Sequence, residues 1–106
     1  MPLQIRSSTD GERARLVMVG TLDAAGAQAL HDAVELALTA KPAWLELDVE
    51  EVDFMSSAGL RVVIFAKQRA PAVKIAFRNP RPAIVDTLRK TGFLDAVYLL
   101  DTSPPA

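Results

Sequence analysis

The sequence predicts a single α/β domain on a mixed, mostly parallel sheet, with the element order β-β-α-β-α-β-α-β. Three observations carry that expectation. Short apolar or alternating runs, such as Trp44-Leu45-Glu46-Leu47-Asp48, take turns along the chain with longer segments whose apolar residues recur every three or four positions. Strands that alternate with helices build parallel sheets through right-handed crossovers. Only the first two strand runs adjoin without a helix between them, and a hairpin there makes the sheet mixed.

Each element has a local reason. Residues 3–6 form a weak first strand, and 7–12 read as a turn containing Asp10-Gly11. Residues 15–19 are mostly apolar and end at Gly20, so the two runs can pair. Thr21-Leu22-Asp23 leads into a first helix whose Leu30, Ala33, Val34, Ala37 and Leu38 make one apolar face, and Pro42 bars its continuation. Residues 44–48 are the next strand. The acidic Glu50, Glu51 and Asp53 then read as a solvated loop or an acidic lip. Residues 60–70 lack proline and glycine and read as a second helix, closed by Pro71. Residues 73–77 alternate as a strand. Asn79-Pro80-Arg81-Pro82 turns into a third helix lined by Ile84, Val85, Leu88 and Thr91, with proline where a first turn tolerates it. Gly92 suits the position after a helix, with Phe93 and Leu94 available for the apolar contact of such caps. Residues 97–100 are the last strand. One domain over 1–101 and a loose tail over 102–106 are expected.

Composition narrows the function. The 106 residues suit one core, and half of them are hydrophobic. Twelve basic and thirteen acidic residues give a formal charge of −1, which speaks against a nucleic-acid partner. With no cysteine, disulfides and thiolate metal sites are excluded, and His31 is the only imidazole, so no metal site or cofactor is expected. His31 reads as a solvated helix residue. The five glycines are scattered and form no phosphate-binding loop or dinucleotide fingerprint. No catalytic cluster is visible, so no enzyme is expected. The first residues lack a secretory pattern and the longest apolar run, 62–66, is too short to cross a bilayer, which leads us to expect a cytoplasmic monomer without membrane insertion.

The remaining signal is the stretch Asp53-Phe54-Met55-Ser56-Ser57-Ala58-Gly59-Leu60-Arg61, where a strand hands over to a helix through two serines. Serine is a favoured N-cap, because its oxygen accepts from the free amides of the first turn. Those amides and the helix dipole also favour an anion at that place. A serine there is a plain cap or a place where a phosphate adds at low structural cost. On the following helix, Ala58, Val62, Phe65 and Arg69 fall on one stripe with Arg61 at its edge, while Gly59, Val63, Ala66 and Ala70 fall opposite, toward a sheet. The stripe is either buried under neighbouring helices or an apolar patch on which a partner docks. Lys67 fits neither side, and its stem is expected to snorkel.

The block from Val52 to Leu60 resembles the signature of the STAS domain, the family of anti-sigma factor antagonists, in which Asp-Ser-Ser/Thr-Gly-Leu opens the second helix. Gly20-Thr21-Leu22-Asp23 resembles the family's Gly-x-Leu-Asp, and Leu88 with Thr91-Gly92-Phe93 resembles its Leu-x-x-x-Gly-Leu segment. The resemblance extends over residues 3–100. It implies that Ser57 is the serine phosphorylated by a partner kinase, with Ser56 as second choice, and that Asp23 faces that site. Taken with the helical stripe, this leads us to expect a partner surface of Asp23, Ser56, Ala58, Gly59, Arg61, Val62, Phe65 and Arg69. Ser56 stands where the family commonly has Asp, and Ala58 where it often has a second hydroxyl. The implied partners are an anti-sigma serine kinase of the histidine-kinase-like ATPase superfamily and a metal-dependent serine phosphatase. The alternative is a STAS accessory subunit of a membrane transporter that is never phosphorylated.

Overall fold

The structure, a computed structural model, describes residues 2–101; the tail expected over 102–106 lies outside the described residues. Its elements are β1 (Gln4–Asp10), β2 (Arg13–Leu22), α1 (Ala24–Leu38), β3 (Trp44–Met55), α2 (Ser57–Arg69), β4 (Lys74–Arg78), α3 (Pro82–Lys90), a 3-10 turn (Leu94–Ala96) and β5 (Tyr98–Leu100). The five strands lie in the sheet in chain order. β1 runs antiparallel to β2, and every later pair is parallel. The expected order of elements holds.

Several boundaries differ from expectation, among them both ends of β2, which runs from Arg13 to Leu22. β1 continues to Asp10, so the hairpin turn shrinks to Gly11 and Glu12. Ser7, Ser8 and Thr9 pair along an exposed edge, where no apolar alternation marks them as strand. β3 extends to Met55, so the acidic Glu50, Glu51 and Asp53 belong to a strand rather than a loop. β4 pairs only with Trp44 to Asp48, and the rest of β3 pairs with β2 alone, so its acidic side chains stay in water. Irregularities of register between Val17 and Val19 and between Gly20 and Thr21 break the two-residue period there. α2 begins at Ser57, three residues before the expected start.

Because strand order follows chain order, every β-α-β crossover steps the same way. Right-handed crossovers then place all three helices on one face of the sheet. Burial agrees. Leu16, Leu47 and Phe77 stand side by side across three strands, each at most 1% exposed, and they join Leu30 and Val34 of α1, Val63 of α2 and Leu88 of α3 in one core. α3 ends as expected. Gly92 has φ +77, its amide donates to the Arg89 carbonyl at 3.1 Å, and the Phe93 amide donates to the Leu88 carbonyl at 3.0 Å. Lys67 ties the loop after α2, its ammonium donating to the carbonyls of Pro71 and Val73 at 3.1 and 3.0 Å.

Among the described residues no helix covers the opposite face, yet Glu46 on it is fully buried. Three guanidiniums cover it: Arg13 hydrogen-bonds Oε2, while Arg15 Nη2 and Arg78 Nη1 reach Oε1 at 3.1 and 3.2 Å. Burial alone pushes the Glu46 pKa up. The hydrogen bonds from Arg13 and Arg15 and the charges of Arg15 and Arg78 outweigh it and hold the carboxyl below its ordinary value.

Candidate functional site

The site forms where β2 and β3 end side by side. Leu22 and Met55 pair in parallel, so the residues after them, Asp23 and Ser56, open α1 and α2 at neighbouring points. Asp23 caps α1, its Oδ1 accepting from the Gly26 amide at 2.8 Å. Ser56 caps α2, its Oγ accepting from the Gly59 amide at 3.2 Å. The Ser56 amide donates to the Leu22 carbonyl at 2.9 Å and links the two turns directly. Beside them, Thr21 Oγ1 donates to Asp53 Oδ1 at 3.0 Å.

The two serines therefore have different chemistry. Ser56, half-buried, spends its oxygen on the cap. Ser57 is the first helical residue, exposed, and its hydroxyl has no hydrogen-bond partner among the described residues. The capping explanation thus accounts for one serine and leaves the other chemically available.

Gly59 is buried, and its lack of a side chain has a specific cause. A Cβ there would lie 2.5 Å from Leu22 Cγ and 2.8 Å from Leu22 Cδ2. Among the residues expected on the partner surface it therefore sets how closely α2 approaches β2. Val62 also differs from expectation. It is 8% exposed and belongs to the core, because α2 packs against α1. Val62 reaches the surface only as the floor of a groove between the two helices. That groove comprises cavities of about 230 and 250 Å3 that share His31, Val62 and Phe65.

The outer part of the stripe does face water. Phe65 is 59% exposed, Arg61 is exposed, and Ala58 is half-buried. Arg69 crosses the groove to Glu35 with an Nη1–Oε2 distance of 2.7 Å. His31 lies between Asp32 and Glu35, with its ring nitrogens 3.7 Å from a carboxylate oxygen of each.

Phe54 was not singled out from the sequence, where Phe54-Met55 reads only as an apolar strand end. In the structure Met55 points inward at 4% exposure and Phe54 outward at 53%. Period-two alternation at the last strand residues was the signal that could have found it. Among the described residues no group of three or more His, Cys, Asp or Glu side chains could hold a metal ion, and no helix is long and apolar enough to cross a membrane.

A family model described as Mlab, STAS domain, matches residues 5–101. Among solved structures, the chain is similar to the anti-sigma factor antagonist SpoIIAA in its unphosphorylated form, at TM-score 0.80 and 16% identity, covering 94% of this chain and 89% of that one. The Bacillus SpoIIAA in its phosphorylated form matches at TM-score 0.74 and 16% identity, covering 94% and 92%. An anti-sigma factor antagonist from Mycobacterium paratuberculosis matches at TM-score 0.83 and 19% identity, covering 92% and 85%. No curated protein matches. With the strand order, the paired helix starts and a family match over nearly its whole length, the chain belongs to the STAS domain family.

Proposed function

We propose that this protein is an anti-sigma factor antagonist that works by partner switching, with Ser57 as its phosphoacceptor. Unphosphorylated, it binds an anti-sigma serine kinase of the histidine-kinase-like ATPase superfamily and frees that kinase's client. Phosphorylation of Ser57 ends the complex, and a metal-dependent serine phosphatase restores the first state. The observation that carries this reading is the division of labour at the turn. Ser56 holds the helix start, while the exposed Ser57 hydroxyl is unengaged among the described residues.

The physics of the switch is local. A phosphoserine adds about −1.5 to −2 charges at neutral pH. At the first helical position that charge meets the free amides and positive end of α2, so the fold tolerates it. A partner seated over the turn instead encounters a desolvated negative charge, which weakens binding. Asp23, Ser56, Ala58, Arg61, Phe65 and Arg69 supply the surface around it, with Val62 beneath and Gly59 setting the helix position. Incubation with the cognate kinase and ATP, followed by mapping of the modified residue by mass spectrometry, tests the assignment. Modification confined to Ser56 or to the tail overturns it, and so does stable co-purification with a transporter ATPase in place of a serine kinase.

A further inference from the structure

We propose that β1 is the interface of a symmetric dimer, in which two copies of this chain pair their first strands antiparallel and join their sheets edge to edge. The proposal does not rest on the function proposed above, and it departs from the monomer expected from the sequence. β1 is an outer strand, and among the described residues nothing pairs with its free side. The two-residue turn Gly11-Glu12 makes Asp10 and Arg13 a hydrogen-bonded pair, so by alternation the backbone groups of Gln4, Arg6, Ser8 and Asp10 engage β2. Those of Ile5, Ser7 and Thr9 point outward along an open edge. Such edges are usually blunted by proline, a bulge or lysine. β1 has no proline or lysine, its pairing with β2 runs without a break in register, and its two charges differ in sign.

Charge selects the register and, with it, a second copy as the occupant. Two such edges pair antiparallel only in registers that set odd-numbered residues against odd and even against even. Centring the pair on Ser8 places Arg6 of each copy opposite Asp10 of the other and Ser7 opposite Thr9. Centring on Arg6 or Asp10 opposes like charges, centring on Ser7 leaves both charges opposite neutral residues, and centring on Thr9 joins only residues 8–10 of the strand. Arg6 and Asp10 are exposed, and neither side chain has a hydrogen-bond or ion-pair partner among the described residues. Their neighbours on β2 do not compete. Arg13, across from Asp10, and Arg15, across from Ser8, are held by Glu46, and Val17 lies across from Arg6.

The helix side supplies a second, independent fit. α1 packs on both β1 and β2 and runs parallel to β1, with Gly26 beside Leu3 and Leu36 beside residues 7–9. Leu36 is 72% exposed at the rim of a cavity of about 290 Å3 between β1 and α1, lined also by Ala14 and Leu16. Edge pairing keeps the helices of both copies on one face of the joined sheet. The two α1 helices then flank the shared strands about three strand spacings, or about 14 Å, apart. Directly packed helices lie about 8–10 Å apart, and the two Leu36 side chains, close to the twofold axis at Ser8, fill the difference. With Leu36 at the axis, Asp32 of one copy faces Ala40 of the other and not its own counterpart. Ser8 pairs with Arg15 near the start of β2, whereas the serine turn lies beyond the far end of that strand. Both serine turns therefore stay open, at opposite ends of the joined sheet.

Sedimentation equilibrium of the full chain from about 1 μM to about 1 mM, the span of weak association, reads the dimer directly. A monomer–dimer equilibrium is expected. Arg6→Asp and Asp10→Arg should each lower the association constant at least about tenfold, because each sets like charges opposite one another twice. Both positions are exposed, so the fold of each variant is retained. An equimolar mixture of the two variants should recover the dimer, since each then offers the charges that the other lacks. Leu36→Ser should weaken the dimer as well, and Ser57→Asp should leave it unchanged. A monomer at every concentration overturns the proposal. So does a dimer indifferent to Arg6→Asp or to Leu36→Ser, a dimer lost in Ser57→Asp, or a mixture that associates no better than its components.

Discussion

Replacing Phe65 by alanine separates a docking residue from a core residue, because the structure sets different magnitudes for the two. A fully buried phenylalanine truncated to alanine loses about 3–5 kcal/mol of folding stability. Phe65 is 59% exposed, so about two-fifths of that loss applies, or about 1–2 kcal/mol. For a domain of this size that is a fall of roughly 5–10 °C in melting temperature. The exposed part of the ring rises beside the groove floored by Val62 and shared with His31. If a partner covers it, truncation removes an aromatic anchor and costs about 2 kcal/mol or more of binding, a loss of about thirtyfold in affinity. Thermal melting and isothermal titration against the cognate kinase on one preparation give both numbers, with Phe77→Ala as the fully buried control. A melting temperature that falls as far as in the control, with unchanged affinity per folded molecule, would refute the assignment of Phe65 to the partner surface.

Three further outcomes follow from the same geometry. Ser57→Asp should change stability by no more than about 1 kcal/mol, in the favourable direction expected of an acid at a helix start, while a binding isotherm shows marked weakening; parental affinity would mean that charge at this turn is not the switch. Gly59→Ala should destabilise by about 1–3 kcal/mol in a denaturant titration, because the new Cβ would sit 2.5 Å from Leu22 Cγ; an unchanged midpoint would show that α2 can move aside. Glu46 gives a pH signature. Burial raises its pKa, but its arginine contacts hold it below the ordinary value. Its stabilisation is therefore complete above the ordinary carboxylate range and disappears as the pH falls through the depressed value. Glu46→Gln should thus cost stability at neutral pH and nearly none in strong acid, and an equal loss at both would exclude the charge as the cause.

Every strand and α-helix is legible in the sequence, the 3-10 turn at Leu94–Ala96 is not, and the differences have identifiable causes. β1 was cut short because an exposed edge strand of Ser7, Ser8 and Thr9 carries no apolar signal. β3 was cut short because register irregularities and an acidic composition conceal pairing that occurs along one side only. At the site, the serine turn and Phe65 were legible from capping chemistry and helical spacing. The division between Ser56 and Ser57 was not, since it depends on which oxygen meets the Gly59 amide. The depth of Val62 depends on how α1 and α2 meet, which spacing on one helix does not encode. The Glu46 cluster joins residues more than thirty positions apart, so no local pattern could show it.

The order of the strands also bears on how the chain is made. Each strand joins the edge left by its predecessor, so no later segment has to insert between two that are already paired. As the chain emerges from the ribosome, the hairpin can form first, and each β-α unit can then add to an existing edge. The last addition is the smallest. β5 is three residues long and pairs only with β4, while α3 brings Ile84 and Leu88 onto a core that the earlier helices already shelter. Assembly in this order keeps β3 and β4 covered by their own helices soon after synthesis and limits the time in which their edges are open to other chains.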